Sequence, residues 1–229
     1  MKSDRSNLQS VAVQARQPSI LSTHTVLRNT YFLLSLTLMF SACTAAYAMK
    51  INAQGPGILL FIAGMFGLSF LVSSLRNSAW GILAAFAFTG FLGYTLGPIL
   101  NMYLHAFANG SQIIMTALGA TGVIFLVLSA YVLTTRKDFS YMGGFLFAAL
   151  MVAFIMSIAG LFFQMPMLQI LVSGVFALLS SGLILFHTSN IINGGETNYI
   201  LATVSIYVAL FNLFISLLQI LGAFSGNRE

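Results

Sequence analysis

The fold is decided by the segment Ile184–Gly222, which reads ILFHTSNIINGGETNYILATVSIYVALFNLFISLLQILG. One apolar run ends there in polar residues, the pair Gly194 and Gly195 gives a turn signal, and a second run, Ile200–Leu221, carries no charge. A helix needs about 20 mostly apolar residues to cross a bilayer core. The segment therefore predicts the end of one transmembrane helix, a tight turn and the whole of the next.

The composition of the whole chain indicates an integral membrane protein. Of its 229 residues, 59% are hydrophobic and 6% are charged, whereas a soluble domain carries about 25% charged residues. The net charge of +5 comes from nine dispersed Lys and Arg residues. They form no basic patch and no aromatic platform, so we do not expect nucleic acid as a partner.

Seven uncharged runs are long enough to span a membrane. They must be helices, because lipid offers no partner to backbone N–H and C=O groups and the alternation of a barrel strand is absent. The predicted helices are Tyr31–Met49, Gly57–Leu75, Trp80–Met102, Gln112–Leu133, Met142–Phe163, Leu168–His187 and Ile200–Leu221. We therefore predict an all-α membrane protein with seven transmembrane helices.

The two ends of the chain differ from this apolar domain. Residues 1–27 are rich in Ser, Gln, Asn and dispersed charges, a composition that buries too little apolar surface to offset the entropy of ordering. We expect a flexible cytosolic tail over residues 1–27, a seven-helix domain over residues 28–222 and a short C-terminal tail over residues 223–229.

The distribution of Lys and Arg predicts the orientation, because cytoplasmic flanks are enriched in these residues. With the N-terminus inside, only Lys50 and Arg228 lie on the far side of the membrane. The seven basic residues on the cytoplasmic side are then Lys2, Arg5, Arg16, Arg28, Arg76, Arg136 and Lys137. We expect a cytoplasmic N-terminus and a periplasmic C-terminus.

The third helix carries a packing signal. Thr89, Gly93 and Gly97 follow one another at four-residue steps, and such small residues let transmembrane helices approach closely. Pro98 has no backbone donor, so we expect it to kink or end this helix.

Polar or small stripes follow the last two helices at steps of four and three residues. The stripe of the seventh helix is Ser205, Ala209, Asn212, Ser216 and Gln219, and that of the sixth is Ser173, Ala177, Ser180, Ile184 and His187. Amides facing lipid would stay unsatisfied, so the stripes face each other or the bundle centre. They form either interhelical hydrogen bonds or an ion or proton path through His187, Asn212, Gln219 and Ser180.

The polar residues between these two helices allow two interpretations. His187 is either an interfacial histidine near a helix end or a titrating group at the mouth of the path. Asn190 and Glu196 are assigned to a cytosolic loop, in which the glycine pair ends the sixth helix and Thr197 or Asn198 caps the seventh.

Enzymatic chemistry has no support in the sequence. The three histidines, His24, His105 and His187, lie in different segments without metal-ligand spacing, and Cys43 is the only cysteine. No nucleophile and base stand together, since Ser180 and His187 are seven residues apart on one helix, about 10 Å along its axis. We expect neither an enzyme, a metal site nor a cofactor.

Several stretches resemble the Bax-inhibitor-like family of multipass proteins, and within it the bacterial YccA type. The matching stretches are STHTVLRNTYFLLSLTLMFSA (Ser22–Ala42), AFAFTGFLGYTLGPILN (Ala85–Asn101), SAYVLTTRKDFSYMGG (Ser129–Gly144) and the opening segment. This resemblance implies seven helices with the seventh central, surrounded by the other six.

The same resemblance implies a function in the bacterial inner membrane. The YccA type is implied to bind the membrane-anchored ATP-dependent protease FtsH and its associated membrane proteins, both as a substrate and as a modulator that restrains proteolysis. The flexible N-terminal tail is then where the protease engages the protein.

Other members of the family are implied to be pH-sensitive calcium leaks that use one aspartate on the sixth helix and one on the seventh. Those positions correspond to His187 and Ala209 here, so both acids are missing. Calcium prefers several oxygen ligands, often carboxylates. Protease modulation is therefore the leading hypothesis, with an ion leak between helices six and seven as the alternative, and the oligomeric state is left open.

Overall fold

The computed structural model of the protein describes residues 20–163 and 165–226, and this part consists of helices joined by short turns. Seven of its helices are long and apolar enough to cross a membrane, which confirms the predicted fold class. They are α1 (Ile20–Lys50), α2 (Gly57–Leu75), α3 (Trp80–Ala106), α4 (Gly110–Thr135), α5 (Met142–Phe163), α6 (Pro166–Ile192) and α7 (Tyr199–Gly226).

The helices at the two ends of the chain extend beyond the predicted boundaries. Helix α1 begins at Ile20, inside the segment 1–27 expected to be a flexible tail, and α7 continues through residues 223–226 of the expected C-terminal tail. Val26 and Leu27 pack against the apolar core, and this packing stabilises the first turns of α1. Residues 1–19 and 227–229 of the two tails lie outside the described residues.

Two interior boundaries also differ from the prediction. Helix α3 continues past Pro98 to Ala106, so the expectation that this proline could end the helix was wrong. Helix α6 continues to Ile192 rather than ending near His187, because Thr188, Ser189 and Ile191 are buried against neighbouring elements. Burial of one helix face outweighs the local polarity that had suggested an end.

Helix α7 occupies the centre of the bundle and packs against α1, α2, α3, α4 and α6. Of its spanning window, 61% of the residues are buried, against 6% for α2. Helix α5 is the exception to the expected ring of six, because within residues 20–163 and 165–226 it packs only against α6. Most residues of the α7 window are buried among other helices, so this helix tolerates the polar stripe that the sequence showed.

The predicted small-residue face of α3 packs against α1. A side chain added at Gly93 would collide with the backbone of Ser41 and the hydroxyl of Thr44, and one added at Gly97 would collide with Ala48. The two helices therefore approach closely, as expected for glycine in a lipid-embedded interface.

Candidate functional site

A polar cavity of about 560 Å³ lies at the end of the bundle where α6 begins and α7 ends. Its polar lining groups are Tyr103, Ser157, Gln169, Ser173, Asn212, Ser216 and Gln219, and none of the charged side chains that the structure describes lines it. Ala223 and Asn212 mark its extent along α7, a span of about 16 Å at 1.5 Å per residue. The cavity thus descends from one membrane surface through about half of a hydrocarbon core that is about 30 Å thick.

The wall of this cavity contains the bond that joins the two predicted stripes. Ser173 Oγ on α6 donates a hydrogen bond of 2.6 Å to Gln219 Oε1 on α7. The two helices are antiparallel, so counting the same number of residues from this bond, forward along α6 and backward along α7, gives residues at the same depth. Ser180 is then level with Asn212, and His187 is level with Ser205. The two stripes therefore lie along one interface, as the sequence predicted.

The interface is closed at the inner side of the cavity. Ser180, Ile184 and Ala209 have no exposed surface, and none of them lines the cavity. The Ser180 hydroxyl is buried and bonds no atom of the described residues. Of the four residues predicted for an ion path, the structure brings Asn212 and Gln219 together at the cavity and leaves Ser180 and His187 outside it.

His187 lies within α6, not at its end. The last residue of the helix is Ile192, and the imidazole ring packs edge-on against Phe186 with ring centroids 5.2 Å apart. The side chain is half-buried. The position therefore belongs to the packed part of the bundle, beyond the closed segment that separates it from the cavity.

The turn between α6 and α7 is the arrangement of helix end and cap that the sequence predicted. The Asn190 carbonyl accepts hydrogen bonds from the backbone N–H groups of Gly195 (2.9 Å) and Glu196 (3.1 Å), and Gly194 has φ +75°. Glu196 Oε1 accepts a bond of 2.7 Å from the N–H of Asn198. Glu196 lies in the turn, whereas Asn190, predicted as a loop residue, lies in the last turn of α6. Both residues hold the turn by hydrogen bonds.

Asn198 is the cap of α7, one of the two residues the sequence offered for this role. Its Oδ1 accepts bonds from the N–H groups of Ile200 (3.0 Å) and Leu201 (3.2 Å). Its Nδ2 donates to the carbonyl of Arg76 at 2.8 Å and to Asn77 Oδ1 at 3.2 Å. The cap therefore also ties the start of α7 to the turn between α2 and α3.

Ser189 is a connecting residue that sequence reasoning missed. Its Oγ accepts a bond of 2.8 Å from the N–H of Phe139, donates to the carbonyl of Lys137 at 3.2 Å and accepts from Asn193 Nδ2 at 3.1 Å. In the same α4–α5 loop, hydrogen bonds from Ser140 lower the pKa of the exposed Asp138 carboxyl. Ser189 thus fixes this loop to the end of α6, and no local pattern in the sequence indicated it.

Side chains that commonly bind metal ions are dispersed over the described part of the chain. Over residues 20–163 and 165–226, no three His, Cys, Asp or Glu side chains come together as a metal site. The polar cavity offers neutral amide and hydroxyl groups, which can hold water or a neutral hydrogen-bonding group.

Comparison with known proteins identifies relatives over nearly the whole chain. The family model described as "Inhibitor of apoptosis-promoting Bax1" matches residues 23–226. Over 204 residues, 89% of this chain and 92% of the relative, the sequence is 58% identical to "Modulator of FtsH protease YccA" of Escherichia coli. A second Escherichia coli strain has "Inner membrane protein YccA" with the same identity and coverage. An uncharacterised protein of Pasteurella multocida is 54% identical over 201 residues, 88% of this chain and 90% of the relative.

Proposed function

The chain belongs to the Bax inhibitor family, and on that premise we propose that it binds the FtsH protease and restrains its action on other membrane proteins. The observation that carries this proposal is the 58% identity to a relative named as a modulator of that protease, over 92% of the relative's length. The 204 matched residues cover 89% of this chain, so the likeness extends over most of the seven-helix bundle.

The proposal assigns the N-terminal segment a separate role as the place where the protease engages this protein as a substrate. The segment is polar and rich in Ser and Gln, a composition that offers little apolar surface for burial. It precedes α1, which begins at Ile20. A polar terminal segment next to a helical bundle is the kind of segment that an unfolding protease can grip first.

The proposal also includes the location and orientation of the protein. We place it in the bacterial inner membrane, because one relative is named an inner membrane protein and seven helices here are long and apolar enough to span a bilayer. The excess of Lys and Arg favours a cytoplasmic N-terminus. Reporter fusions at the two ends test this: a C-terminal alkaline phosphatase fusion should be active and a C-terminal green fluorescent protein fusion dark.

Binding is tested by purifying the tagged full-length protein from native membranes in a mild detergent. The protease should co-purify with it and should not co-purify with an unrelated seven-helix protein carrying the same tag. Absence of the protease from the eluate under conditions that recover it with a known membrane substrate would contradict the proposal.

The role of the N-terminal segment is tested by the half-life of the protein in cells with and without the protease. Deletion of residues 2–19 should lengthen the half-life only in cells that contain the protease, whereas a shuffled segment of the same composition should leave it unchanged. Equal half-lives of the wild type and the deletion variant in both kinds of cell would refute this role.

The polar cavity favours a second candidate function, an ion or proton leak along α6 and α7. It supplies a water-sized entry down to Asn212, although Ser180, Ile184 and Ala209 close the path beyond it. Reconstituted wild-type protein should then carry protons or calcium into dye-loaded liposomes, and Asn212→Leu or His187→Ala should change the flux. Flux equal to that of empty liposomes would exclude this candidate.

A further inference from the structure

A groove of about 530 Å³ lies between the first turns of α1 and the last turns of α4, far from the polar cavity. It is lined by His24, Thr25, Leu27, Arg28, Tyr31 and Leu133. The backbones of α1 and α4 do not pack against each other in the described part of the chain. They are bridged by the stacked rings of Tyr31 and Phe125, whose centroids are 5.8 Å apart. The groove lies beside this ring contact, where α1 and α4 remain apart.

The basic residue of the groove lies at the level of lipid headgroups. Arg28 and Lys50 are 22 residues apart on α1, which corresponds to about 33 Å at 1.5 Å per residue. This length is close to the hydrocarbon thickness of about 30 Å. One residue therefore marks each membrane surface, and the apolar walls of the groove beyond Arg28 face the acyl chains of one leaflet.

The positive charge at this surface has no described counter-ion. Asp138 and Glu196 are the two carboxylates in the described part of the chain, and they accept hydrogen bonds from the backbone N–H groups of Ser140 and Asn198. Arg136 follows α4 three residues after Leu133 and adds a second positive charge at the same end of that helix. These positive charges therefore favour a ligand with a net negative charge over a zwitterionic ligand, whose negative group is already balanced by its own ammonium.

Tyr31 forms an apolar wall of the groove. Its ring lines the groove, whereas its hydroxyl is buried and bonds no atom in the part of the chain that the structure describes. The site thus combines the Arg28 guanidinium with the ring of Tyr31 and the apolar side chains of Leu27 and Leu133.

We propose that this groove binds one anionic phospholipid of the leaflet in which α1 begins. The phosphate diester accepts charge-assisted hydrogen bonds from Arg28, which presents its donors in a fork that matches phosphate oxygens. One acyl chain lies along Leu27, Tyr31 and Leu133. Basic pockets between transmembrane helices bind anionic headgroups in this way.

The proposal is tested with full-length protein in detergent by titrating phosphatidylglycerol or phosphatidylcholine and measuring bound lipid by native mass spectrometry. The wild type should retain phosphatidylglycerol in preference to phosphatidylcholine. Arg28→Gln should weaken phosphatidylglycerol binding by about tenfold, the factor expected for loss of a charge-assisted hydrogen bond. Arg28→Lys should keep most of the preference because it keeps the charge.

The matched control is Lys50→Gln, which removes the same charge from the exposed opposite end of the same helix. It should leave phosphatidylglycerol binding unchanged. Equal losses in Arg28→Gln and Lys50→Gln, or equal retention of the two lipids by the wild type, would overturn the proposal. Inorganic phosphate should not raise the Tm of the wild type, and a rise equal to that given by phosphatidylglycerol would identify an anion site rather than a lipid site.

Discussion

The hydroxyl groups of Ser41 on α1 and Tyr207 on α7 lie 2.6 Å apart, although 166 residues separate them in the chain. The Tyr207 hydroxyl also lies 3.1 Å from the carbonyl oxygen of Thr89 on α3. A carbonyl only accepts, so Tyr207 donates to Thr89 and Ser41 donates to Tyr207. One buried phenol therefore joins the central helix α7 to both α1 and α3.

Replacing this phenol should loosen the three-helix contact. Interhelical hydrogen bonds in membranes contribute about 0.6–1.7 kcal/mol each, so Tyr207→Phe, which removes two, should lower the free energy of unfolding by about 1–3 kcal/mol. Chemical unfolding in mixed micelles measures the change. The control is Tyr141→Phe, because Tyr141 is 79% exposed, and equal effects of the two substitutions would contradict the assignment.

A methyl group at Gly93 should separate α1 from α3. The new Cβ of Gly93→Ala meets the backbone and hydroxyl of Ser41 and the hydroxyl of Thr44, and such overpacking costs about 1–3 kcal/mol. We expect a lower Tm in detergent. Gly119→Ala provides the matched substitution on α4, where nothing lies within 4 Å of the added Cβ, and its Tm should not fall.

Loss of the α7 cap should weaken the start of the central helix. Asn198→Ala removes the acceptor for Ile200 and Leu201 and the donor for Arg76, and an N-cap contributes about 0.5–2 kcal/mol. Hydrogen exchange at residues 200 and 201 should become faster. Asn198→Asp keeps the acceptor and loses the donor, so it should protect these two amides nearly as well as the wild type; exchange as fast as in the alanine variant would refute the cap.

Removal of the Ser189 hydroxyl should release the α4–α5 loop. Ser189→Ala loses the bonds to Lys137 and Phe139, so trypsin should cleave after Arg136 and Lys137 several times faster than in the wild type. Ser181→Ala is the control, because the Ser181 hydroxyl bonds only the Ala177 carbonyl of its own helix. Unchanged cleavage in Ser189→Ala would show that the loop is held by other contacts.

The sequence predicted the helices better than their ends. Apolar length alone identified all seven, because a bilayer forces every spanning segment to satisfy its own backbone. The end of α6 depends on tertiary packing, which carries this helix through Thr188 and Ser189 to Ile192. Local polarity was weaker there than the burial of one helix face.

The candidate site was predicted in part. The period of the polar stripes placed Ser173 and Gln219 on facing sides of α6 and α7, and the structure joins them by a hydrogen bond. The limit of the cavity at Asn212 had no signal in the sequence, because it depends on how Ser180, Ile184 and Ala209 fill the interface. The role of Ser189 had no signal either, because its partners in the α4–α5 loop, Lys137 and Phe139, lie 52 and 50 residues away in the chain.

The sequence by itself determined seven helices long and apolar enough to cross a membrane in the described part of the chain, because apolar length and backbone hydrogen bonding are local properties of each segment. It also determined the steps of four and three residues that place His187 and Ala209 on the two polar stripes. Only the tertiary structure decided which helices touch, why α5 packs against no described helix other than α6, and where the polar interface opens or closes. Those outcomes depend on side chains far apart in the chain that meet only when the bundle packs.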